Sequence, residues 1–169
     1  TFGEHDGHLR QFVADHGAVT LPVVDLSQDV GQLATRVRAA SARGMDLGTG
    51  PLFRAVVFRL ALDDHVLLLQ QHHSVSDAWS ISVVLSELGV LYDDHVHGRI
   101  PSLPVLPVRY RDVARWERAG LRGEALARRE EYWRTTLAGA PHLLDLPADR
   151  PRPPVATHCG ATLAFDFPR

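Results

Sequence analysis

Nine consecutive residues, His72-His73-Ser74-Val75-Ser76-Asp77-Ala78-Trp79-Ser80, hold two adjacent imidazoles and a carboxylate four positions beyond the second. Imidazole takes and returns a proton near neutral pH. A helix N-terminus offers unpaired N–H groups to a developing negative charge. Acyl transfer needs both, so the nonapeptide reads as a candidate reaction centre, with His73 accepting a proton from, or orienting, an attacking amine or hydroxyl. Across a strand-to-helix turn one imidazole can face a cavity while Asp77 caps the helix or pairs with a cation. His72 is then expected to point elsewhere. A metal is not assigned: adjacent histidines in an extended segment project to opposite sides, and neither Cys-x-x-Cys nor His-Glu-x-x-His is present. Ser74 and Ser76 lie outside a Gly-x-Ser-x-Gly elbow, so covalent catalysis is not assigned either. The chain has ten histidines, and a polar strand end is the plain alternative for this pair.

Elements on either side must position these groups. Val66-Leu67-Leu68-Leu69 is an uninterrupted apolar run, which predicts a central strand over residues 65–71, covered on both faces and ending at the histidines. Residues 52–60 predict a second strand, paired with it as a hairpin through Asp63-Asp64. Ile81, Val84, Leu85, Leu88 and Leu91 recur at helical spacing, predicting a helix from Ser80 to about Tyr92, with Asp77 near its start. Upstream, residues 3–7 read as a turn-rich link, residues 8–14 and 20–24 as strands, and Ser27 as the N-cap of a helix with Asp29 in its first turn. That helix carries Val30, Leu33, Ala34, Val37 and Ala40 on one face and ends by Gly44. Downstream, Pro101, Pro104 and Pro107 impose an extended connector. Helices follow over residues 110–116 and 122–137, then a Pro-rich connector over 146–160 and a last strand over 161–167. His95 and His97 read as a surface pair at a helix end, with Asp93-Asp94 a solvated turn beside it; Arg128 to Glu131 read as a solvated helix face.

Composition limits the classes that fit. With 45% hydrophobic residues in 169, the chain suits one globular domain or one large lobe rather than a disordered segment. Eighteen basic against 20 acidic residues give a net charge of −2, scattered rather than gathered in a stripe, so nucleic acid is not an expected partner. No apolar run approaches the roughly 20 residues that span a bilayer, and the first residues lack a signal-peptide pattern; no membrane partner and a cytoplasmic location are expected. Cys159 is the single cysteine, in a Pro-rich region without a base beside it, and is read as incidental.

The nonapeptide resembles the His-His-x-x-x-Asp-Gly-Trp-Ser signature of condensation domains in nonribosomal peptide synthetases. Tyr110-Arg111-Asp112-Val113-Ala114-Arg115-Trp116 resembles that family's Tyr-x-Asp-Phe-Ala-x-Trp motif, with Val113 in place of Phe. Tyr132-Trp133, Leu137 to Pro141 and Leu146 to Pro153 resemble the segment that follows it, and Thr1-Phe2 the end of an upstream arginine-rich motif. The resemblance runs along essentially the whole chain in the family's order.

It implies an α/β, chloramphenicol-acetyltransferase-like two-layer sandwich, a central sheet with helices packed on it. That sandwich would be most of the N-terminal lobe of a two-lobed domain, residues 1–169 being a partial domain without the first strand and helix region and the whole C-terminal lobe. The implied activity is peptide-bond formation, moving an aminoacyl or peptidyl group from one carrier protein's phosphopantetheine thioester to the amine of the next aminoacyl thioester. By position His73 is the acting residue, as base or amine positioner, with His72 supporting it. Asp77 is a structural support that usually pairs with an upstream arginine, absent here. Ala78 stands where the family has Gly: its backbone N–H is available to an oxyanion, but a conformation that glycine alone adopts readily would be strained. Trp79, Ser80, Tyr110, Asp112 and Trp116 are motif support. No cofactor is expected to be bound intrinsically; the 4'-phosphopantetheine arms belong to the donor and acceptor peptidyl carrier proteins, which with an adjacent adenylation domain and the absent lobe are the implied partners. Alone, such a fragment would be weakly active or inactive. An epimerisation domain shares His-His-x-x-x-Asp but not the Trp79-Ser80 order, a heterocyclisation domain would carry aspartate in place of the histidines, and a non-catalytic recruitment domain typically loses the second histidine.

Overall fold

The computed structural model of the chain describes residues 1–14, 17, 19–144, 146–151, 153–156 and 163–166. Asp6 and Gly7 both take positive φ, 52° and 71°, as a two-residue type I′ hairpin turn requires. They join β1 (Phe2–His5) to β2 (His8–Gln11), antiparallel with His5 opposite His8. Only Asp6-Gly7 is therefore turn, in contrast to the expected link over residues 3–7, and β2 stops at Gln11 rather than at residue 14.

The second sheet has the order β3-β4-β5, with β3 (Val23–Asp25) parallel to β4 (Phe53–Arg59) and β5 (His65–Gln71) antiparallel to it. Parallel neighbours need a crossover, and it contains a single 3-10 turn (Val30–Gln32) leading into α1 (Leu33–Ser41). Leu33, Val37 and Ala40 are the half-buried positions of α1, the i, i+4, i+7 spacing of one helical face. The start differs from expectation. Asp29, not Ser27, is the residue before the 3-10 turn, because the Ser27 N–H is turned back onto Asp25 Oδ1 at 3.0 Å.

The buried side chains among the described residues are Leu26, Leu52, Ala55 and Phe58, all in or flanking β3 and β4. β4 is thus the central strand. β5 is the edge strand among the described residues, its side chains half-buried at best and Leu67 40% exposed, which corrects the expectation of a strand covered on both faces. Its apolar run instead lines a cavity. Asp25 and Arg59, register partners at the exposed end of β3 and β4, form an ion pair; the Arg59 guanidinium and then the Ser27 N–H hold the Asp25 carboxyl far below the usual carboxylate range.

α2 (Ala78–Val96) completes the first unit, Thr1–Pro104. It runs four residues beyond the expected end at Tyr92. Asp93 and Asp94 lie in its last turns rather than in a solvated loop, both paired with Arg99, while the His97 ring N–H donates to the Asp93 carbonyl at 2.8 Å. The second unit, Val105–Arg169, holds α3 (Tyr110–Gly120) and α4 (Gly123–Thr136). In α3 the Asp112 carboxylate accepts from the Arg109 backbone N–H at 3.1 Å, closing the helix start. Described residues from 141 onward have no regular structure, including 163–166 of the expected last strand; 161, 162, 167 and Cys159 lie outside the described residues. Among the described residues no helix is long and apolar enough to cross a membrane.

Candidate active site

β4 fixes where β5 delivers the chain. Phe53 pairs with Gln71, and one residue further the His72 N–H donates to the Leu52 carbonyl at 3.0 Å. The chain then reverses, with the Val75 N–H donating to the His72 carbonyl at 3.0 Å. That bond closes an i to i+3 turn whose central residues are His73 and Ser74.

The two histidines are held in opposite tautomers. His72 Nδ1 lies 3.1 Å from the Ser74 N–H, which can only donate, so this nitrogen is an acceptor and the ring proton is on Nε2. The Ser74 hydroxyl, 2.8 Å away, donates to the same atom. His73 Nδ1 lies 2.6 Å from the Ser76 carbonyl, which can only accept, so here Nδ1 carries the proton, and in the neutral ring the lone pair is then on Nε2. Both residues line one cavity, and His72 Nδ1 is committed to its own turn.

Asp77 is the N-cap of α2. Its Oδ1 accepts from the Ser80 N–H at 2.8 Å and the Ser80 hydroxyl at 2.7 Å, while its own N–H donates back to Ser80 Oγ at 3.3 Å. This is a capping box with serine at the third helical position. The Ser80 hydroxyl, then its N–H, hold the Asp77 carboxyl below the usual carboxylate value. Among the described residues Asp77 has no arginine partner, so capping alone accounts for its bonds. Ala78 is the first residue of α2, where an N–H has no acceptor inside the helix. Its φ is not positive, since Asp6 is the sole non-glycine with positive φ among the described residues; alanine fits there without strain. The Asp77 charge offsets part of the positive helix end and so lowers the net positive field at this helix start.

The cavity has a volume of about 770 Å³, within the range that holds small organic ligands. It is lined by Leu67 to Gln71 of β5, by Ile81, Val84 and Leu85 of α2, by Ser41 at the end of α1, and by Arg43 and Met45 just beyond it. His73, Ser76, Asp77 and Ala78 stand at the junction. Trp79 is 79% exposed and lines a separate groove with Val83 and Leu103. Tyr110, Asp112 and Trp116 belong to α3 of the second unit, Tyr110 and Trp116 exposed and Asp112 engaged in capping. Gln71 and Ser76 join the site although the sequence does not single them out as its supports: the Ser76 hydroxyl donates to Gln71 Oε1 across the turn. Their only signal in the sequence is a pair of polar residues flanking the turn, and that pattern does not specify a bond.

Comparison with known proteins agrees with this architecture. The family model of the condensation domain matches residues 1–169. The chain is 41% identical over 167 residues to malpinin synthetase of Mortierella alpina, and 46% identical over 172 residues to phosphinothricin tripeptide synthetase PhsB of Streptomyces viridochromogenes. The two matches cover 95% and 99% of this chain but 2% and 14% of those relatives, so the chain spans a small part of the proteins it resembles. Among solved structures, an X-domain in complex with OxyB from teicoplanin biosynthesis superposes with a TM-score of 0.80 at 28% identity, over 90% of this chain and 34% of that one. The α/β architecture is the chloramphenicol-acetyltransferase-like one expected from the motifs, and with the family matched from end to end, this chain belongs to the condensation-domain family.

Proposed function

We propose that this chain supplies one wall of a centre that forms peptide bonds, transferring an aminoacyl or peptidyl group from a donor carrier protein's phosphopantetheine thioester to the amine of an acceptor aminoacyl thioester. The observation that carries this reading is the His73 tautomer. With Nδ1–H given to the Ser76 carbonyl at 2.6 Å, Nε2 is left as an acceptor beside a helix start that offers the Ala78 N–H. The acceptor amine attacks the thioester carbonyl carbon, and a C–N bond forms as the C–S bond breaks. The surplus amine proton passes to His73 Nε2 and on to the departing thiolate. The Ala78 N–H donates to the carbonyl oxygen as it gains charge, and Asp77 supports the turn through Ser80. His72 supports the turn through its Nδ1, which accepts from the Ser74 N–H. The other wall would come from the C-terminal lobe of the same domain, and an adjacent adenylation domain would load the acceptor carrier, all in the cytoplasm. The open cavity and an α2 without a buried residue support a second wall.

The test is peptide formation by the parent synthetase with both carriers loaded. His73→Ala lowers the rate by about 10²–10⁴-fold; an unchanged rate excludes this role for His73. The likeness to an X-domain solved with OxyB favours a second reading, non-catalytic docking of a tailoring enzyme. Under it, even the unmodified protein forms no peptide.

A further inference from the structure

We infer that Gln71 and Ser76 are positioning residues that set the tautomer of His73; the inference rests on the catalytic reading of His73 given above. Gln71 is the last residue of β5 and is paired through its backbone with Phe53, so its side chain leaves from the best-anchored point next to the site. Its Oε1 accepts the Ser76 hydroxyl proton, and this bond spans five residues and is partly shielded from water. It ties the far end of the turn to the strand. The backbone tied down is the one whose carbonyl meets His73 Nδ1 at 2.6 Å. A carbonyl at that place demands a proton on Nδ1 and so leaves Nε2 as the acceptor. If the 76–77 peptide turned away, the Nδ1–H form would lose its partner and the ring would divide between two tautomers, one of which presents a donor where a proton acceptor is needed. Hydrogen bonds to the remote ring nitrogen commonly choose the working tautomer of histidines at reactive sites. A hydroxyl at position 76 can thus act on the reaction without touching a substrate and without being a nucleophile.

Two measurements on the full-length protein test this. With ¹⁵N placed in histidine alone, the His73 ring, assigned by its loss in His73→Ala, should show the Nδ1–H pattern. Ser76→Ala and Gln71→Leu should each move it toward a mixture of tautomers. In peptide formation, each should lower kcat about tenfold with KM changed less than about twofold. The double variant should lose no more than either single one, because one bond is removed in all three. Ser76→Thr, which keeps the hydroxyl, should restore both the ¹⁵N pattern and the rate. That rescue separates positioning from general damage to the turn. An Nδ1–H pattern and rate unchanged in both single variants overturn the inference, as does a rate loss in which Ser76→Thr shares. His73→Ala keeps the two claims apart. If it leaves peptide formation intact, the catalytic reading fails; if it abolishes formation while the Gln71 and Ser76 variants change nothing, the positioning inference falls alone.

Discussion

The β3–β4–β5 sheet and the turn that follows it are built by opposite kinds of force. Every buried side chain of the sheet is apolar, with Phe58, on the central strand, 2% exposed. In the turn, His73, Ser74 and Asp77 are exposed, and the bonds that orient them are hydrogen bonds between near neighbours in sequence. Burial fixes where β5 ends; hydrogen bonds worth on the order of 1 kcal/mol each fix how the rings point. The two should therefore fail independently. The sharpest break is Phe58→Ala, expected to destabilise by about 3–5 kcal/mol through lost transfer free energy and the cavity left behind. Urea unfolding of the full-length protein measures it, and the folded fraction should retain its rate of peptide formation. A loss below about 1 kcal/mol would mean that β4 is not the core of this unit.

A smaller effect isolates the turn. Asp77 has a carboxyl held below the usual value by Ser80, so its charged form is favoured by folding. The sign follows from that: its contribution is complete above the unfolded-state value of roughly 3.9 and is lost as the pH falls through the lower folded value. Asp77→Asn keeps a capping oxygen without the charge. The stability difference between the parent protein and Asp77→Asn should be constant from neutral pH down to about 4 and should shrink below it. A difference that stays constant into strong acid would show that the charge of Asp77 has no part in holding the helix start.

The same division explains what can be read from the sequence. β5 matches its expected residues 65–71, and α4 its expected range to within a residue, because apolar run length and helical periodicity are local properties. α3 begins at Tyr110 as expected and continues past Trp116 to Gly120. β1 escapes a reading in which Asp6-Gly7 merges with its neighbours into a loose link, although Asp-Gly at two adjacent positive-φ positions is itself a hairpin signal. β5 reads as a central strand because four apolar residues in a row do not say whether a sheet or a cavity covers them. At the site, His72, His73, Asp77 and Ala78 do converge on one junction. Their tautomers and the Ser76–Gln71 bond are not legible in the sequence, since they depend on which way a carbonyl and a hydroxyl face across the reversal.

The smallest effect bears on Ala78, where the family's signature has glycine. If the helix start needed a left-handed backbone, glycine would stabilise it. Residue 78 instead has no positive φ and opens α2, so alanine gives up nothing in the folded state and restricts the unfolded chain. Ala78→Gly is therefore expected to destabilise the protein by about 0.4–1 kcal/mol. The N–H at this position is the same in both residues, so the rate of peptide formation should change by less than about twofold. Paired urea unfolding and rate measurements decide the point. A variant that is more stable would place residue 78 outside helical geometry and undo the capping arrangement at Asp77. A variant of lower stability whose rate also falls at least tenfold would show that the methyl group of Ala78, a residue lining the same cavity as His73, takes part in seating the reactants.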